Sequence, residues 1–187
     1  MNDQKHNDKQ LIDRILKGEQ DLFAQIIDTY KDRVAGVCFN MLKDKNLAEE
    51  VGHETFIRLY KSLSQYNFKS ALGTYITRIA INLSLNKLDS IKRRQKRFSS
   101  QNEEHKNYPA HETPSSQQLE TKEIVNIALQ SLSDDARSVV VLRMIDGYSV
   151  KETSDMLGIA EGTVMSKLNR AMKKMKETLN KNSLNNE

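Results

Sequence analysis

Apolar residues recur every three or four positions along most of this chain, which is the period of an amphipathic α-helix. After a polar tail, the first long stripe predicts a helix from Asp21 to about Lys43, with Phe23, Ile26, Ile27, Tyr30, Val34, Val37, Cys38 and Met41 on one face. A second helix, capped by Asn46, carries Leu47, Val51, Thr55, Leu59 and Leu63. A polar loop follows, and a third helix begins at Leu72 and carries Ile76, Ile79, Ala80, Leu83, Leu88 and Ile91. The first half of the chain is therefore predicted to be helical.

Helical periodicity resumes near Leu119 in the second half. Val139, Val140 and Val141 would suit a strand by propensity. However, Ser133 is followed by two aspartates, which is typical of a helix start, and Gly147 is a stop. We therefore predict a helix here as well.

Residues 149–172 predict a helix-turn-helix. Ser149 and Glu152 match the S-x-x-E capping box, and Gly158 supplies the left-handed position that ends the first helix. The second helix has an apolar stripe of Val164, Leu168, Ala171, Met172, Met175 and Leu179, and a basic face of Lys167, Arg170, Lys173, Lys174 and Lys176. A solvated lysine face on an ordinary surface helix would look similar. The tight turn before it favours a helix that lies in the DNA major groove.

Residues 98–120 differ in composition from both halves. They are rich in Ser, Gln, Asn, Glu and His and contain both prolines, Pro109 and Pro114. Such a composition is typical of a flexible linker. The predicted fold class is all-α, with two small helical domains at 10–97 and 121–180, a flexible linker at 98–120, and a C-terminal helix-turn-helix.

Positive charge is concentrated in two places, although the formal net charge is only +4. Five cations lie between Lys92 and Arg97, and the last helix is basic again. Between them, residues 98–123 contain five glutamates and two lysines. This zoning predicts two separate contacts with nucleic acid.

Several other classes of site are not favoured by the sequence. The single cysteine, Cys38, lies on an apolar helical face and is expected in the core. No signal-peptide pattern and no membrane-spanning apolar run are found, so we expect a cytoplasmic protein without membrane insertion. Apart from His53, the histidines fall in the polar tail and the linker. No metal site, cofactor site or catalytic constellation is therefore predicted.

Two polar clusters interrupt the apolar helices. Glu49, Glu50, His53 and Glu54 share one exposed face, which is most often simply solvated but could steer a basic partner. On the third helix, Tyr75, Arg78, Asn82 and Asn86 form a polar stripe that runs into the basic cluster. An aromatic ring for stacking and amides for base edges are the groups that capture unstacked bases. Tyr66 and Phe68, in the preceding loop, could help to form a pocket.

Together these motifs resemble the bacterial RNA polymerase sigma factors of the extracytoplasmic-function (ECF) group. The segment AEEVGHETF at 48–56 resembles the family's core-polymerase-binding stretch, and YITRIAIN at 75–82 resembles its promoter-melting segment. Residues 82–97 correspond to the helix that reads the −10 element, and LGIAEGTV at 157–164 is similar to the −35 motif. The resemblance covers about residues 10–97 and 120–180.

The resemblance implies a role for each cluster. The residues expected to meet the clamp helices in the largest subunit of core RNA polymerase are Glu49, Glu50, His53, Glu54 and Arg58. Those expected at the −10 element are Tyr66, Tyr75, Arg78, Asn82, Asn86, Lys92, Arg93 and Arg94. Those expected at the −35 element are Thr163, Ser166, Lys167, Asn169, Arg170 and Lys174. Which of this last set contact bases and which contact phosphates stays open.

The expected function is that of a promoter-recognition subunit, not an enzyme, with core RNA polymerase, promoter DNA and an anti-sigma factor as partners. A ligand-responsive helix-turn-helix regulator is the alternative, and it predicts a buried pocket and an N-terminal half without DNA contacts. A helical enzyme with a basic tail is a third class. The sequence does not favour it, because no catalytic constellation is predicted.

Overall fold

The computed structural model describes the backbone of residues 2–99 and 117–184, and the side chains of residues 7–97 and 123–180. These residues form helices and turns, and no strand occurs among them, which confirms the predicted all-α class. The helices are α1 (Asn2–Leu16), α2 (Phe23–Leu42), α3 (Lys45–Ser62), α4 (Leu72–Ser99), α5 (Gln117–Gln130), α6 (Asp134–Val140), α7 (Val150–Leu157) and α8 (Glu161–Leu184). Most of the predicted linker lies outside the described residues.

The prediction of a polar tail before Asp21 is wrong, because most of that segment is α1. Ile12 and Ile15 are buried, and Asp8 lies on the same face four residues before Ile12. The Tyr30 hydroxyl of α2 donates a 2.7 Å hydrogen bond to the Asp8 carboxylate. The polar composition concealed the helix, since three inward positions are enough to attach it to α2.

Helices α2 and α3 form an antiparallel pair joined by a very short turn. Lys43 adopts the left-handed conformation with φ 54°, and the Asp44 carboxylate accepts a 2.9 Å hydrogen bond from the Leu47 N–H. Asp44 therefore caps α3, and the prediction that Asn46 does so is wrong. Cys38 is fully buried in this pair as predicted, and burial raises its pKa to about 11.

The start of α4 lies unusually close to α2. A methyl group on Gly73 would lie 3.1 Å from Cε1 of Tyr30 and 2.9 Å from Nη1 of Arg33. Only a residue without a side chain allows this approach without displacing those neighbours. Leu72, Ile76, Ala80 and Ile81 are buried in the same core.

Helices α5 to α8 form a second core. It consists of Leu129, Leu132, Val139, Val140, Val164, Leu168 and Ala171. Arg137 is buried beneath the end of α5, where its guanidinium donates to the carbonyls of Leu129 at 3.0 Å and Leu132 at 3.3 Å. These bonds hold Arg137 against the backbone at the end of α5, where the Leu129 carbonyl also accepts from the Leu132 N–H at 3.2 Å. The valine run is helical as predicted, and it ends in a single π-helical turn at Val141–Ile145.

The expected burial of Met172 on α8 is wrong, since that side chain is 41% exposed. Val164, Leu168 and Ala171 already fill the stripe that faces α5 and α6, and Met172 follows Ala171 around the edge of the helix. The chain divides into two compact units between Ser84 and Leu85, inside α4. The domain limits at 10–97 and 121–180 remain predictions.

The capping box of α7 is formed as predicted. The Glu152 N–H donates to Oγ of Ser149 at 3.1 Å, and the Ser149 N–H and hydroxyl donate to the Glu152 carboxylate at 2.8 and 2.7 Å. These bonds from Ser149 lower the pKa of Glu152 below its ordinary value of 4.5. Gly158 then ends α7 with φ 66°.

We expect Ser149→Ala to lower the free energy of unfolding by about 1 kcal/mol, because it removes one half of the box. Glu152→Gln should destabilise the protein at pH 7. Because the folded-state pKa of Glu152 is lowered, its contribution is present above pH 4.5 and is lost as the pH falls through that lowered pKa. Urea unfolding followed by circular dichroism between pH 3 and 7 measures this.

The matched control is Glu177→Gln, at an exposed position on α8. It should change the free energy of unfolding by less than about 0.5 kcal/mol, as surface substitutions usually do. A Glu152→Gln deficit that stays constant from pH 7 to pH 3 would show that the charge of Glu152 does not stabilise α7.

Candidate functional site

The predicted acidic face is present on the solvent side of α3. Glu49, Glu50, His53 and Glu54 are all exposed, while Val51, Thr55 and Leu59 are buried on the opposite side. Arg58 lies one turn further along, with its Nε 4.0 Å from Oε1 of Glu54. A pair this exposed contributes little to stability. The face therefore offers a row of carboxylates to a basic partner at little cost to the fold.

The predicted polar stripe follows one side of α4. Arg78, Asn82 and Asn86 are exposed, and Tyr75 at its start is half-buried. With a rise of about 1.5 Å per residue, the stripe is roughly 17 Å long. The Tyr75 hydroxyl donates to Oγ of Ser62 at 3.1 Å, so the ring is held at its outer end by α3.

Tyr66 lies beneath the exposed surface, and its predicted place at the −10 element stays a prediction. It is only 8% exposed, and its hydroxyl donates a 2.6 Å hydrogen bond to the Ser70 carbonyl. Its ring lies 4.9 Å from the Tyr75 ring and 4.7 Å from the Phe68 ring. Burial raises the pKa of Tyr66 to about 12. Tyr66 therefore supports Tyr75 from below.

The polar stripe is followed by a basic end of the same helix. Lys92, Arg93 and Arg94 are exposed there, within α4. Arg93 forms a 2.5 Å ion pair with Asp89, one turn back. The stripe of Tyr75, Arg78 and two amides thus comes first along α4, and a cluster of cations follows. This order suits a strand whose bases meet the stripe and whose phosphates meet the basic end.

In the second unit, α7, the turn at Gly158 and α8 form the predicted helix-turn-helix. The Gly158 N–H donates to the Ser154 carbonyl at 2.9 Å, and the Ser154 hydroxyl donates to the Ile159 carbonyl at 2.6 Å. Val164 and Leu168 hold α8 against the core. The turn is therefore fixed by hydrogen bonds on both sides, and it sets the direction in which α8 projects.

The predicted −35 residues lie along the outer side of α8. Ser166, Asn169, Arg170 and Lys174 are exposed, and Thr163 is half-buried at its start. The Arg170 guanidinium folds back onto the Ser166 carbonyl at 3.2 Å. The structure brings all six predicted residues onto α8, within its first four turns.

Lys167 is less exposed than the other cations of this set, because its ammonium group forms a 3.2 Å ion pair with Asp135 of α6. Its side chain is 27% exposed. Asp135 was not among the predicted site residues, because the sequence shows it only as part of a helix start. The two residues are 32 positions apart, and no local pattern connects them.

Two further classes of site are absent from the described residues. No helix in residues 2–99 and 117–184 is both long and apolar enough to cross a membrane. Over the same part of the chain, no group of His, Cys, Asp and Glu side chains is arranged to hold a metal ion.

Comparison with known proteins identifies the family to which the segments carrying these surfaces are similar. The family model described as Sigma-70 region 2 matches residues 26–97, and the one described as Sigma-70, region 4 matches residues 123–175. The ECF RNA polymerase sigma factor SigW of Bacillus subtilis is 29% identical over 185 residues, which covers 91% of this chain and 96% of that protein. The ECF RNA polymerase sigma-E factor of Haemophilus influenzae is 28% identical over 172 residues, covering 88% of this chain and 90% of the relative.

Two solved structures share the fold. The sigma factor RpoE of Bartonella quintana, in complex with the anti-sigma factor NepR, has a TM-score of 0.69 at 20% identity and covers 84% of this chain and 96% of its own. CnrH, in complex with the cytosolic domain of CnrY, has a TM-score of 0.64 at 21% identity and covers 91% and 95%.

The two family models occur in the order and at the positions of the two predicted functional halves. A ligand-responsive regulator does not account for the region 2 match, whereas a sigma factor accounts for both. This chain therefore belongs to the sigma-70 family of RNA polymerase sigma factors, within its extracytoplasmic-function group.

Proposed function

We propose that this sigma factor divides promoter recognition between its two halves. Residues 10–97 bind the core enzyme and read and open the −10 element, residues 121–180 read the −35 element, and residues 98–120 link them. The observation that carries this proposal is α4, whose exposed Arg78, Asn82 and Asn86, with the half-buried Tyr75 before them, lead directly into Lys92, Arg93 and Arg94.

Strand opening needs groups that offset the cost of unstacking, which is a few kcal/mol per base. The Tyr75 ring provides an aromatic face, and the Asn82 and Asn86 amides can both donate to and accept from base edges. Lys92 and Arg94 neutralise phosphates of the same strand. The support of Tyr75 by Tyr66 keeps its ring in one orientation before DNA arrives.

The acidic face of α3 is the proposed contact with the clamp helices of the largest polymerase subunit. Complementary charge steers the two proteins together and sets their register. Its position on α3 leaves the stripe on α4 available for DNA.

The outer side of α8 is the proposed −35 surface. Arg170 and Lys174 are long, exposed cations suited to phosphates, which position the protein without specifying sequence. Thr163, Ser166 and Asn169 are shorter and lie nearer the start of α8, where side chains of a helix-turn-helix reach base edges.

Regulation by an anti-sigma factor is also proposed, because the structurally similar RpoE was solved with the anti-sigma factor NepR. The protein acts in the cytoplasm, with RNA polymerase, and it catalyses no reaction of its own. Run-off transcription with core enzyme on genomic fragments tests the proposal as a whole. Start sites that share −35 and −10 sequences support it, and the absence of specific initiation contradicts it.

Core binding should depend on the charge of α3. We expect Glu50→Lys with Glu54→Lys to weaken association with core polymerase at least about tenfold, because like charges brought together across an interface cost several kcal/mol. Fluorescence anisotropy of the labelled protein with core enzyme measures the affinity.

The control is Asp28→Lys with Asp32→Lys on α2, an exposed pair with the same spacing and the same change in charge. It should bind core enzyme like the wild type. Equal weakening in both double variants would mean that overall charge, not this face, governs binding.

Promoter opening should depend on the stripe of α4. Tyr75→Ala should lower the permanganate reactivity of −10 thymines about tenfold, since stacking on one aromatic residue contributes roughly 1–3 kcal/mol. Asn82→Ala should lower it about fivefold, since it removes a hydrogen bond to a base edge that contributes about 1 kcal/mol. Core binding should be unchanged. Tyr75→Phe keeps the ring for stacking and loses the bond to Ser62, so it should open promoters better than Tyr75→Ala does.

Asn46→Ala, an exposed amide on α3, is the matched control for Asn82→Ala. If Asn82→Ala and Tyr75→Ala open the promoter as well as this control does, the stripe has no role in opening.

Binding at −35 should separate position from specificity. Arg170→Ala with Lys174→Ala should weaken holoenzyme binding to native and scrambled −35 sequences alike, and it should reduce the salt slope by about 0.9 for each phosphate that is no longer neutralised. Asn169→Ala should weaken binding to the native sequence only. Binding titrations from about 50 to about 200 mM salt distinguish these outcomes. A sequence-specific loss in the Arg170/Lys174 variant would show that these cations read bases.

A further inference from the structure

Helix α1 is joined to the rest of the first unit by a buried polar contact. Asp8 is 5% exposed, and its carboxylate accepts the 2.7 Å hydrogen bond from Tyr30. Residues 2–16 precede the segment that matches the region 2 family model, which begins at residue 26. Burying a carboxylate is costly unless it is hydrogen-bonded, because the group is removed from water. The bond from Tyr30 therefore offsets part of the cost of burying Asp8.

One route leads from Asp8 to the first turn of α4. Asp8 accepts a hydrogen bond from the hydroxyl of Tyr30, and the Tyr30 ring lies against Gly73. A methyl group on Gly73 would lie only 3.1 Å from Cε1 of Tyr30. Gly73 is two residues before Tyr75. The orientation of Tyr30 therefore limits where the first turn of α4, and with it Tyr75, can lie.

A second route leads from the neighbouring residue, Lys9. Its Nζ lies 5.8 Å from the centroid of the Phe68 ring, within the range of a cation–π contact. Phe68 has a left-handed backbone, with φ 58°, which a non-glycine residue adopts only when its surroundings hold it there. Phe68 packs on Tyr66, and Tyr66 packs on Tyr75.

Both routes end at the same ring. We propose that Asp8 and Lys9 of α1 are positioning residues for strand opening, which hold Tyr30 and Phe68 so that Tyr75 is presented at the start of the α4 stripe. This inference rests on the proposed role of that stripe. It adds that a helix outside the matched family region sets the geometry of the melting surface.

The test uses the full-length protein, alone and in holoenzyme. Asp8→Ala removes the acceptor for Tyr30, whereas Asp8→Asn retains a side-chain oxygen that can accept the same bond. Ile12→Val removes one buried methylene from the same helix and is the control for a general loss of stability. Lys9→Ala is compared with Lys17→Ala, which removes the same charge just beyond the end of α1.

Two measurements are made on each variant. The first is permanganate reactivity of −10 thymines in holoenzyme, beside core binding. The second is made in a Tyr75→Trp background, which introduces the only tryptophan of the chain, and follows acrylamide quenching of its fluorescence in the free protein. This second measurement needs neither DNA nor polymerase.

Asp8→Ala should lower thymine reactivity at least about fivefold, as expected when one partner of a buried hydrogen bond is removed. In the Tyr75→Trp background it should also raise the quenching of the introduced indole, while core binding stays unchanged. Asp8→Asn should restore most of both signals. Lys9→Ala should show a smaller loss in the same direction, and Ile12→Val and Lys17→Ala should behave like the wild type.

Three results would overturn the inference. Unchanged quenching in Asp8→Ala would show that α1 does not set the Tyr75 ring. Loss of core binding together with opening would show that α1 supports the whole unit instead. Normal opening in Asp8→Ala, with opening impaired in Asn82→Ala, would remove α1 from the process. If Asn82→Ala also opens normally, the proposed melting stripe itself is wrong.

Discussion

Helix α4 must be buried along one face and exposed along the other, and the first unit depends on this division. Leu72, Ile76 and Ala80 hold the helix in the core, and the same turns carry Arg78 and Asn82 on the outside. Because about 3.6 residues complete a turn, neither face can move without the other. The contacts that fix the buried face of α4 also fix the direction of its polar side chains. The packing of α1, α2 and the Tyr66 loop therefore determines where the exposed side chains of α4 lie.

In the second unit, backbone caps fix the direction of the exposed helix. The helix α8 keeps a short apolar stripe on α5 and α6, and its direction depends on the turn at Gly158 and on the capping box of α7. Arg137 ties the end of α5 to the start of α6 with bonds to backbone carbonyls, and burial lowers the pKa of its guanidinium. The polar groups that set this geometry are therefore separate from the outer side of α8, which is the proposed −35 surface.

The sequence was sufficient wherever the determining signal is local. The capping box, the Gly158 turn, the helical valine run and the long α4 all follow from residues within a few positions of one another. The acidic face and the stripe were also predictable, because a helical period assigns faces without knowledge of the partner helix.

The features that the sequence did not show mostly depend on contacts between residues that are distant in sequence. Tyr66 is buried because Tyr75 and Phe68 close over it, and nothing in the loop sequence shows that. The helix α1 is held by three inward positions in a polar segment, and its key bond joins residues 22 positions apart. Asp44, and not Asn46, caps α3, because α2 ends at Lys43 in a left-handed conformation and α3 begins immediately afterwards. A non-glycine residue seldom adopts that conformation, so the sequence did not indicate it.

In the proposed complex with −35 DNA, the ion pair between Lys167 and Asp135 changes what this lysine contributes to binding. A cation that reaches a phosphate releases a counterion from the DNA. If Lys167 turns from Asp135 to a phosphate, however, the carboxylate left behind attracts a cation from solution in its place. The exchange is nearly neutral in ions, so Lys167 adds little to the salt dependence of binding. The proposed contribution of Lys167 is therefore to position α8 on the DNA, and its share of the salt-dependent affinity is small.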